Sequence, residues 1–275
     1  MTVTRFAPSP TGFLHLGHAF AALMAQRSGT RFLLRIEDLD AARSRPEFTS
    51  AIFEDLSWLG LSWETPLLFQ SARGAAYGAA LEILGARGLT YPCFCTRAEI
   101  AAEISRAGDA PPYVAVGGPD GHLYPGTCRH LSEDERAARK DQSFALRLDA
   151  ARAAELVGPL SFLEHDAEIA VDPLLFGDIV LARKGLPAAY HLAVVVDDAF
   201  QGVDLVTRGE DLLPATHVQR LLQALLDLPE PAYAHHRLIL DSSGRKFSKR
   251  DNAATLAAMR RAGVTPAEVK SLLEL

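Results

Sequence analysis

The hydrophobic and polar positions divide the first part of the chain into alternating strand-like and helix-like segments. Two short apolar runs, TVTRFAPS (2–9) and RFLLRIED (31–38), have the β-branched and aromatic residues typical of buried strands. Between them, LGHAFAALMAQRSG (16–29) has helical spacing and ends at a glycine. The order of strand, helix and strand predicts parallel βαβ units.

The same patterns predict the later elements. We expect Asp40 to cap a helix through FTSAIFEDLSWLG (48–60), and AAYGAALEILGARG (75–88) to form a helix closed by Gly88. The near-continuous apolar run AYHLAVVVDD (189–198) is typical of a buried parallel strand. THVQRLLQALLDL (216–228) has the spacing of an amphipathic helix, and the chain after Arg250 is predicted to be mostly helical.

The middle of the chain differs in character, with all three cysteines and many glycine and proline turns. We interpret it as an insertion. The predicted architecture is α/β, a Rossmann-like doubly wound parallel sheet with an inserted subdomain and a short C-terminal helical appendage. The predicted parts are 1–92 and 190–236 for the two halves of the sheet domain, 93–189 for the insertion and 237–275 for the appendage.

Composition narrows the class of protein. The chain has 275 residues, of which 48% are hydrophobic and 23% charged, so we expect a globular protein of one large or two modest domains. We expect no membrane association and a cytoplasmic location, because neither a membrane-spanning run nor a secretory pattern is found. The net charge of −6 argues against a general nucleic-acid coat protein, although basic residues cluster at 245–250 and 260–261.

The stretch RFAPSPTGFLHLGHAF (5–20) leads from a strand through a proline and glycine turn into a helix N-terminus. Doubly wound folds build phosphate sites in this way. His15 and His18 share one face of the first helical turn, where both rings can donate to phosphate oxygens, and Gly17 permits close approach. The alternative is a capped helix with two surface histidines.

The second candidate motif is GRKFSKR (244–250), whose Lys246 and Lys249 would bring mobile positive charge to a triphosphate. Taken alone, such a run is most often a solvated basic loop.

Together these motifs resemble a known family. HLGH is similar to the HIGH signature of class I aminoacyl-tRNA synthetases, and KFSKR is similar to their KMSKS loop. Further blocks, in order along the chain, resemble the catalytic core of glutamyl-tRNA synthetases: LLRIEDLDAAR, QSARGAAYGAALEILGARGLTYPCFCT, VVVDDAFQGVDLVTRGEDLL and HHRLILDSSGRKFSKR.

Elementary chemistry agrees with a glutamate site. Free glutamate has two carboxylates and one ammonium, so its pocket needs two fixed cations, preferably arginines, and one anion. Arg5, Glu37 and Arg208 fall at predicted strand ends, although each could instead be a surface ion pair. The resemblance implies that the two arginines hold the side-chain carboxylate, that Glu37 holds the amino group, and that the remaining amino-acid contacts are Ala7, Ser9 and Tyr190.

The resemblance also implies an ATP site, with Mg²⁺ accompanying the nucleotide. The residues it assigns to ATP are Pro10, Thr11, Gly12, His15, Gly17, His18 and Lys249. The residues it assigns to catalysis are His15, His18, Lys246 and Lys249.

The cysteines form a candidate metal site, with Cys93 and Cys95 in CxC and Cys128 in YPGTC. Zinc requires four ligands, and the nearby candidates for the fourth are Tyr124, His122 and His130. On general chemistry a histidine is the default. The resemblance instead implies that Tyr124 completes one structural zinc site per chain in the inserted subdomain.

Only residues 251–275 follow the KMSKS-like motif, so we expect a short helical appendage rather than an anticodon-binding part. This length resembles the truncated members of the family, the glutamyl-queuosine tRNA(Asp) synthetases. The resemblance implies ATP-dependent activation of L-glutamate without tRNA, transfer to queuosine of tRNA(Asp), and a monomer. The alternatives are an enzyme of this class with another acceptor, a non-catalytic paralogue that binds glutamate or RNA, and a zinc-dependent RNA-binding module.

Overall fold

The computed structural model describes residues 1–108, 117–240 and 255–275. The chain begins with three parallel strands, β1 (Val3–Phe6), β2 (Arg31–Ile36) and β3 (Glu64–Phe69), in the spatial order β1-β2-β3. Helices α1 (Leu16–Ser28) and α2 (Pro46–Trp58) connect them. A 3₁₀ turn (Gln70–Arg73) then leads into α3 (Gly74–Ala86). The predicted strands and helices of this part therefore form, and they make the expected βαβ units.

The middle of the chain builds a second, antiparallel sheet. The elements of this middle part are, in chain order, β4 (Thr90–Cys93), α4 (Arg97–Gly108), β5 (Gly117–Gly118), β6 (Gly121–His122), α5 (Glu133–Ala137), β7 (Ala145–Leu148), α6 (Ala150–Val157), β8 (Ser161–Glu164), β9 (Ala167–Ala170) and β10 (Val180–Arg183). Strands β10, β7 and β4 pair in that order, whereas β8 and β9 form a hairpin that belongs to the main sheet.

The last part returns to the main sheet through α7 (Tyr190–Gln201), β11 (Leu205–Gly209), a 3₁₀ turn (Glu210–Leu212), α8 (Leu213–Leu225) and β12 (Ala232–His236). Strand β12 pairs in parallel with β11 on one side and β8 on the other. The Asp204 amide donates to Val3 O at 3.2 Å and the Val3 amide donates to Asp204 Oδ1 at 2.7 Å, which joins β11 to β1.

The three-stranded sheet and the sheet β11-β12-β8-β9 thus adjoin, which gives the spatial order β3-β2-β1-β11-β12-β8-β9. From β1 the chain adds strands on one side, and from β11 it adds a strand on the other, so the order reverses between β1 and β11. Doubly wound sheets bind ligands at the carboxyl ends of the strands beside such a reversal. One hydrophobic cluster packs α1, α2 and the C-terminal helices α9 (Leu256–Arg261) and α10 (Pro266–Leu272) on the sheet, and a second packs α3, α7 and α8. The division of the chain into four parts stays a prediction.

The prediction of a strand at AYHLAVVVDD is wrong, because this run forms helix α7. Its residues Leu192, Ala193, Val194 and Val195 are each at most 2% exposed. A helix buried around most of its circumference needs a continuous apolar run, just as a buried strand does, so hydrophobic periodicity cannot separate the two. The helix ends at Gly202, whose φ of +64° lies in the left-handed region that glycine adopts without strain.

The prediction that Asp40 caps the second helix is also wrong. Helix α2 begins at Pro46, whose fixed φ suits the first helical position and whose missing N–H costs nothing there. Asp40 instead accepts a hydrogen bond from Arg43 Nε at 2.7 Å.

Ion pairs add to the apolar packing that holds α9 on α2. Arg260 Nη2 lies 2.8 Å from Glu54 Oε2 and 3.3 Å from Asp55 Oδ1, and burial raises the pKa of Asp55 to about 6 although Arg260 opposes this. One of the two arginines at 260–261 is thus engaged within the protein.

In the described part of the chain, no helix has the length and apolar character needed to span a bilayer.

Candidate active site

An open cavity of about 390 Å³ lies where the carboxyl ends of β1 and β11 meet the start of α7. Its lining residues are Arg5, Phe6, Ala7, Ala21, Glu37, Tyr190, Thr207, Arg208 and Leu212. The structure therefore brings together five of the six residues assigned to glutamate. The sixth, Ser9, lies on the loop after β1, where its Oγ is 3.5 Å from Thr11 Oγ1.

Arg5 is held by a buried carboxylate. Its Nε and Nη2 donate to the two oxygens of Asp198 at 3.0 and 3.4 Å, and its Nη1 donates to Thr207 O at 3.3 Å. Arg35, which is fully buried on β2, donates from Nη2 to the same Asp198 at 2.6 Å. Burial alone would raise the pKa of Asp198, but Arg35 and Arg5 hold it below its ordinary value. One carboxylate thus fixes two guanidinium groups.

Arg208 is held by neutral partners. Its Nη1 donates to Gln219 Oε1 at 2.8 Å, its Nη2 donates to Thr216 Oγ1 at 2.9 Å, and its Nε donates to His235 Nε2 at 3.0 Å. The hydroxyl of Tyr190 lies 3.5 Å from Nη1. Because these partners carry no negative charge, the positive charge of Arg208 stays available to an anion in the cavity.

Glu37 supplies the anionic side of the cavity. Its side chain is 15% exposed, and its Oε1 is 3.9 Å from Arg35 Nε. Burial raises the pKa of Glu37 to about 7, although Arg35 and Arg5 oppose this. A ligand ammonium beside Glu37 would stabilise the charged carboxylate. Two buried guanidinium groups and one carboxylate thus surround a single cavity.

The two histidines of HLGH form the start of α1. His15 is the N-cap residue, and its backbone amide donates to His18 Nδ1 at 3.2 Å. The ring centroids are 3.8 Å apart. A Cβ on Gly17 would lie 3.1 Å from His15 Cε1, so glycine permits this packing. His15 is 7% exposed and therefore not a surface histidine, whereas His18 is half-buried.

The proposed nucleotide residues before α1 lie on the loop that joins β1 to this helix. Pro10 lines a second open cavity of about 480 Å³ together with Asp38, Ser44 and Arg45. The Thr11 amide donates to Ser9 O at 2.9 Å, and the buried Gly12 follows. The backbone of Thr255 pairs with that of His15 in an isolated antiparallel β-bridge. Lys246 and Lys249 lie outside the described residues, and the roles assigned to all these residues stay predictions.

The three cysteines and Tyr124 converge at the end of β4. The three sulfur atoms lie within 4.8 Å of one another, and the Tyr124 hydroxyl is 3.3 Å from Cys93 Sγ and 3.6 Å from Cys95 Sγ. Tetrahedral zinc with bonds of about 2.3 Å to sulfur separates its sulfur ligands by about 3.8 Å. The cluster therefore fits a zinc ion. Among the described histidine, cysteine and acidic side chains, neither His122 nor His130 joins this group.

Burial and a neighbouring charge act in opposite directions on the deprotonation of the cluster. Burial raises the pKa of the Cys95 thiol to about 11, which opposes the thiolate that zinc requires. The Arg147 guanidinium lies 3.8 Å from the centroid of the Tyr124 ring, where its charge favours anionic ligands. Zinc would supply the remaining charge that deprotonated ligands need.

Sequence reasoning missed the buried residues that hold the two arginines of the cavity. Arg35 gives one signal, because a lone arginine inside an apolar strand must have a buried partner. The adjacent Asp197 and Asp198 give another, because they end an apolar run. Asp197 is fully buried and accepts from Tyr77 Oη at 2.7 Å, Gln70 Nε2 at 3.0 Å and Arg73 Nε at 3.1 Å.

Comparison with known proteins places the chain in a family. Residues 1–274 match the tRNA synthetases class I (E and Q), catalytic domain. The chain belongs to this family. It therefore carries the catalytic domain of a ligase, in agreement with the enzyme class and the Rossmann-like α/β fold expected from the sequence. The family places its activity among those of the glutamate-tRNA-ligase type.

Relatives cover nearly the whole chain. It is 47% identical to a Glutamyl-Q tRNA(Asp) synthetase from Rhodobacter capsulatus, with 99% of this chain and 100% of that protein aligned. It is 49% identical to a protein of the same name from Nocardia farcinica, with 98% and 82% aligned. These relatives confirm the resemblance stated from the sequence motifs.

A solved structure shows the same fold. The crystal structure of a glutamate tRNA ligase from Elizabethkingia meningosepticum, in complex with its amino acid, matches with a TM-score of 0.72 and 28% identity. The match covers 91% of this chain and 52% of the ligase, so the chain spans about half of that protein.

Proposed function

We propose that the protein activates L-glutamate with ATP to glutamyl-adenylate without tRNA, and transfers the glutamyl group to queuosine at the wobble position of tRNA(Asp). One observation carries the first half of this proposal. Arg5 and Arg208, 5% and 6% exposed, and the carboxylate of Glu37 line one cavity at the point where the strand order reverses. Their charges complement the side-chain carboxylate and the ammonium of glutamate.

The cavity is organised by the protein itself. Asp198 fixes Arg5, and three neutral side chains fix Arg208, so neither arginine needs a further ligand to be ordered. Preorganised charges stabilise a developing transition state at little cost of rearrangement. This supports activation of glutamate before any RNA is bound.

The chemistry needs no nucleophile from the protein. The α-carboxylate of glutamate attacks the α-phosphorus of ATP, the bond to the β-phosphate oxygen breaks, and pyrophosphate leaves. His15, His18 and the helix N-terminus would bind the phosphates, Lys246 and Lys249 would stabilise the departing pyrophosphate, and Mg²⁺ would enter with ATP. A hydroxyl of the cyclopentene-diol of queuosine then attacks the carbonyl carbon, loses its proton, and releases AMP.

The inserted subdomain would be ordered by one zinc ion held by Cys93, Cys95, Tyr124 and Cys128. The support is the convergence of these four side chains in the structure. Four protein ligands leave no open position for substrate, so the metal would be structural.

The choice of queuosine as acceptor rests on the relatives. Proteins named Glutamyl-Q tRNA(Asp) synthetase are 47% and 49% identical over nearly all of this chain, and one of them is covered from end to end. RNA-binding proteins read exposed single-stranded bases best, and a wobble base in an anticodon loop is one. We further propose that the protein acts in the cytoplasm as a monomer.

Activation without tRNA gives the first test. We expect the purified protein to exchange pyrophosphate with ATP when L-glutamate is present and RNA is absent, because the two arginines are already ordered. L-aspartate, whose side chain is one methylene shorter, should support much slower exchange. Ribonuclease treatment before the assay controls for carried-over tRNA. Exchange that appears only after tRNA is added would contradict the proposed activation step.

A further inference from the structure

Arg208 lies at one end of a hydrogen-bonded series of three buried side chains, and the other two orient it. Glu164 ends β8, His235 lies on β12 and Arg208 lies on β11, and they are 8%, 7% and 6% exposed. Glu164 Oε2 is 2.7 Å from His235 Nδ1, and His235 Nε2 is 3.0 Å from Arg208 Nε. Glu164 Oε1 also accepts from the His235 backbone amide at 2.8 Å, so both carboxylate oxygens are engaged by one residue.

The chemistry of the three groups decides which atom donates and which accepts in each of the two side-chain hydrogen bonds. The Arg208 Nε–H only donates, so His235 Nε2 must accept. The Glu164 carboxylate accepts from Nδ1–H, which selects the tautomer with a free lone pair at Nε2. Burial, together with the charge of Arg208, lowers the pKa of His235 to about 4, so the ring is neutral at physiological pH. A protonated or reversed ring would turn an N–H towards the guanidinium.

We propose that Glu164 and His235 are a positioning pair that fixes the plane of the Arg208 guanidinium for a carboxylate of the substrate. This inference rests on the proposed function for the identity of the substrate as glutamate. Neither residue lines the cavity, and both act through Arg208. The pair also ties the glutamate cavity to the β8–β9 hairpin, at the far edge of the sheet from β3.

The other partners of Arg208 do not replace the pair. Gln219 and Thr216 both lie on α8 and bind the two terminal nitrogens, whereas His235 is the partner on the sheet that binds Nε. Contacts at Nε and at both terminal nitrogens fix the guanidinium plane from two sides. Without the acceptor at Nε, the group can rotate about its axis, and the two-point geometry that a carboxylate needs is lost.

The test compares KM for glutamate and for ATP in pyrophosphate exchange. His235→Asn keeps a polar group near Glu164 but does not reach Arg208, whereas His235→Gln carries its amide to the position of Nε2. We expect His235→Asn to raise KM for glutamate by about ten- to a hundredfold, the loss typical of a charge-assisted hydrogen bond, with KM for ATP unchanged. His235→Gln should recover part of this loss, and Arg208→Ala should set its upper limit.

Glu164→Gln tests the tautomer with almost no change in shape. The amide no longer requires Nδ1–H, so KM for glutamate should rise here too. Glu168→Gln is the matched control, because Glu168 lies exposed on the same hairpin with Ser161 Oγ as its partner at 2.7 Å, and it should behave as wild type. If His235→Asn does not fold, as judged by thermal unfolding, Glu164→Gln still decides.

The outcomes separate the two claims. An active wild type whose Glu164→Gln and His235→Asn variants keep the wild-type KM for glutamate would overturn the positioning pair alone. Equal rises in KM for glutamate and ATP would also overturn it, because they indicate general structural damage. A wild type without glutamate-dependent exchange would overturn the proposed function and, with it, the assignment of the pair to glutamate.

Discussion

Replacement of Asp198 by asparagine is expected to destabilise the fold by about 3–5 kcal/mol, the usual result of removing one partner from a buried ion pair. Asp198 is 5% exposed and holds both Arg5 and Arg35. Asparagine keeps the shape and one acceptor oxygen but leaves two buried guanidinium groups without their shared negative charge. Glutamate binding should weaken as well, because Arg5 loses the group that orients it.

The measurement is the midpoint of urea unfolding for the wild type and the variant. Asp40→Asn is the matched control, because it neutralises a carboxylate whose partner Arg43 has a side chain that is 73% exposed, and such exposed pairs contribute little to stability. The pKa of Asp198 is lower in the folded protein, so its contribution is present at neutral pH and is lost as the pH falls through that pKa. An Asp198→Asn midpoint no lower than that of Asp40→Asn would contradict this account of the network.

Replacement of Cys93 by serine is expected to reduce bound zinc from one ion per chain to almost none. Cys93 is 2% exposed and packs with Tyr91, Tyr124 and Cys128 in a small cluster that has few other apolar residues to hold it. Binding energy of a structural zinc is folding energy, so the subdomain should also become sensitive to protease. Elemental analysis and limited proteolysis of the purified proteins check both effects.

Two further variants test the ligand set. Tyr124→Phe keeps the ring that packs under Arg147 and removes only the hydroxyl, so it should bind zinc more weakly without collapse of the cluster. His122→Ala and His130→Ala should keep one zinc ion per chain. Equal zinc in wild type and Cys93→Ser, or loss of zinc in a histidine variant, would refute the ligand set.

The sequence was sufficient to predict the elements whose pattern is local. Strands β1 and β2 and helices α1 and α3 are short segments bounded by glycine or proline, and the HLGH motif combines residue types that are rare together. Helix α7 could not be predicted, because burial on most of its surface removes the polar face that identifies a helix. The cap assigned to Asp40 failed because Pro46 offers a stronger start six residues later.

The residues of the candidate site also fall into a group that the sequence could predict and a group that it could not. Arg5, Glu37 and Arg208 are expected from the family resemblance and from the charges of free glutamate, and they do line one cavity. Their supporting residues could not be predicted, because Asp198 meets Arg5 across 193 positions and Glu164 meets His235 across 71 positions, and no local spacing encodes such pairs. A lone charged residue in an apolar run is the only sign of such a pair in the sequence. It indicates that a buried partner exists but does not identify that partner.

The most direct test of the proposed function is the transfer of labelled glutamate to tRNA(Asp). The comparison uses tRNA(Asp) from cells able to make queuosine, tRNA(Asp) from cells unable to make it, and tRNA(Glu), each with the same protein and ATP. We expect label only on the queuosine-containing tRNA(Asp). Equal labelling of the two tRNA(Asp) samples, or labelling of tRNA(Glu) alone, would contradict the proposed transfer to queuosine.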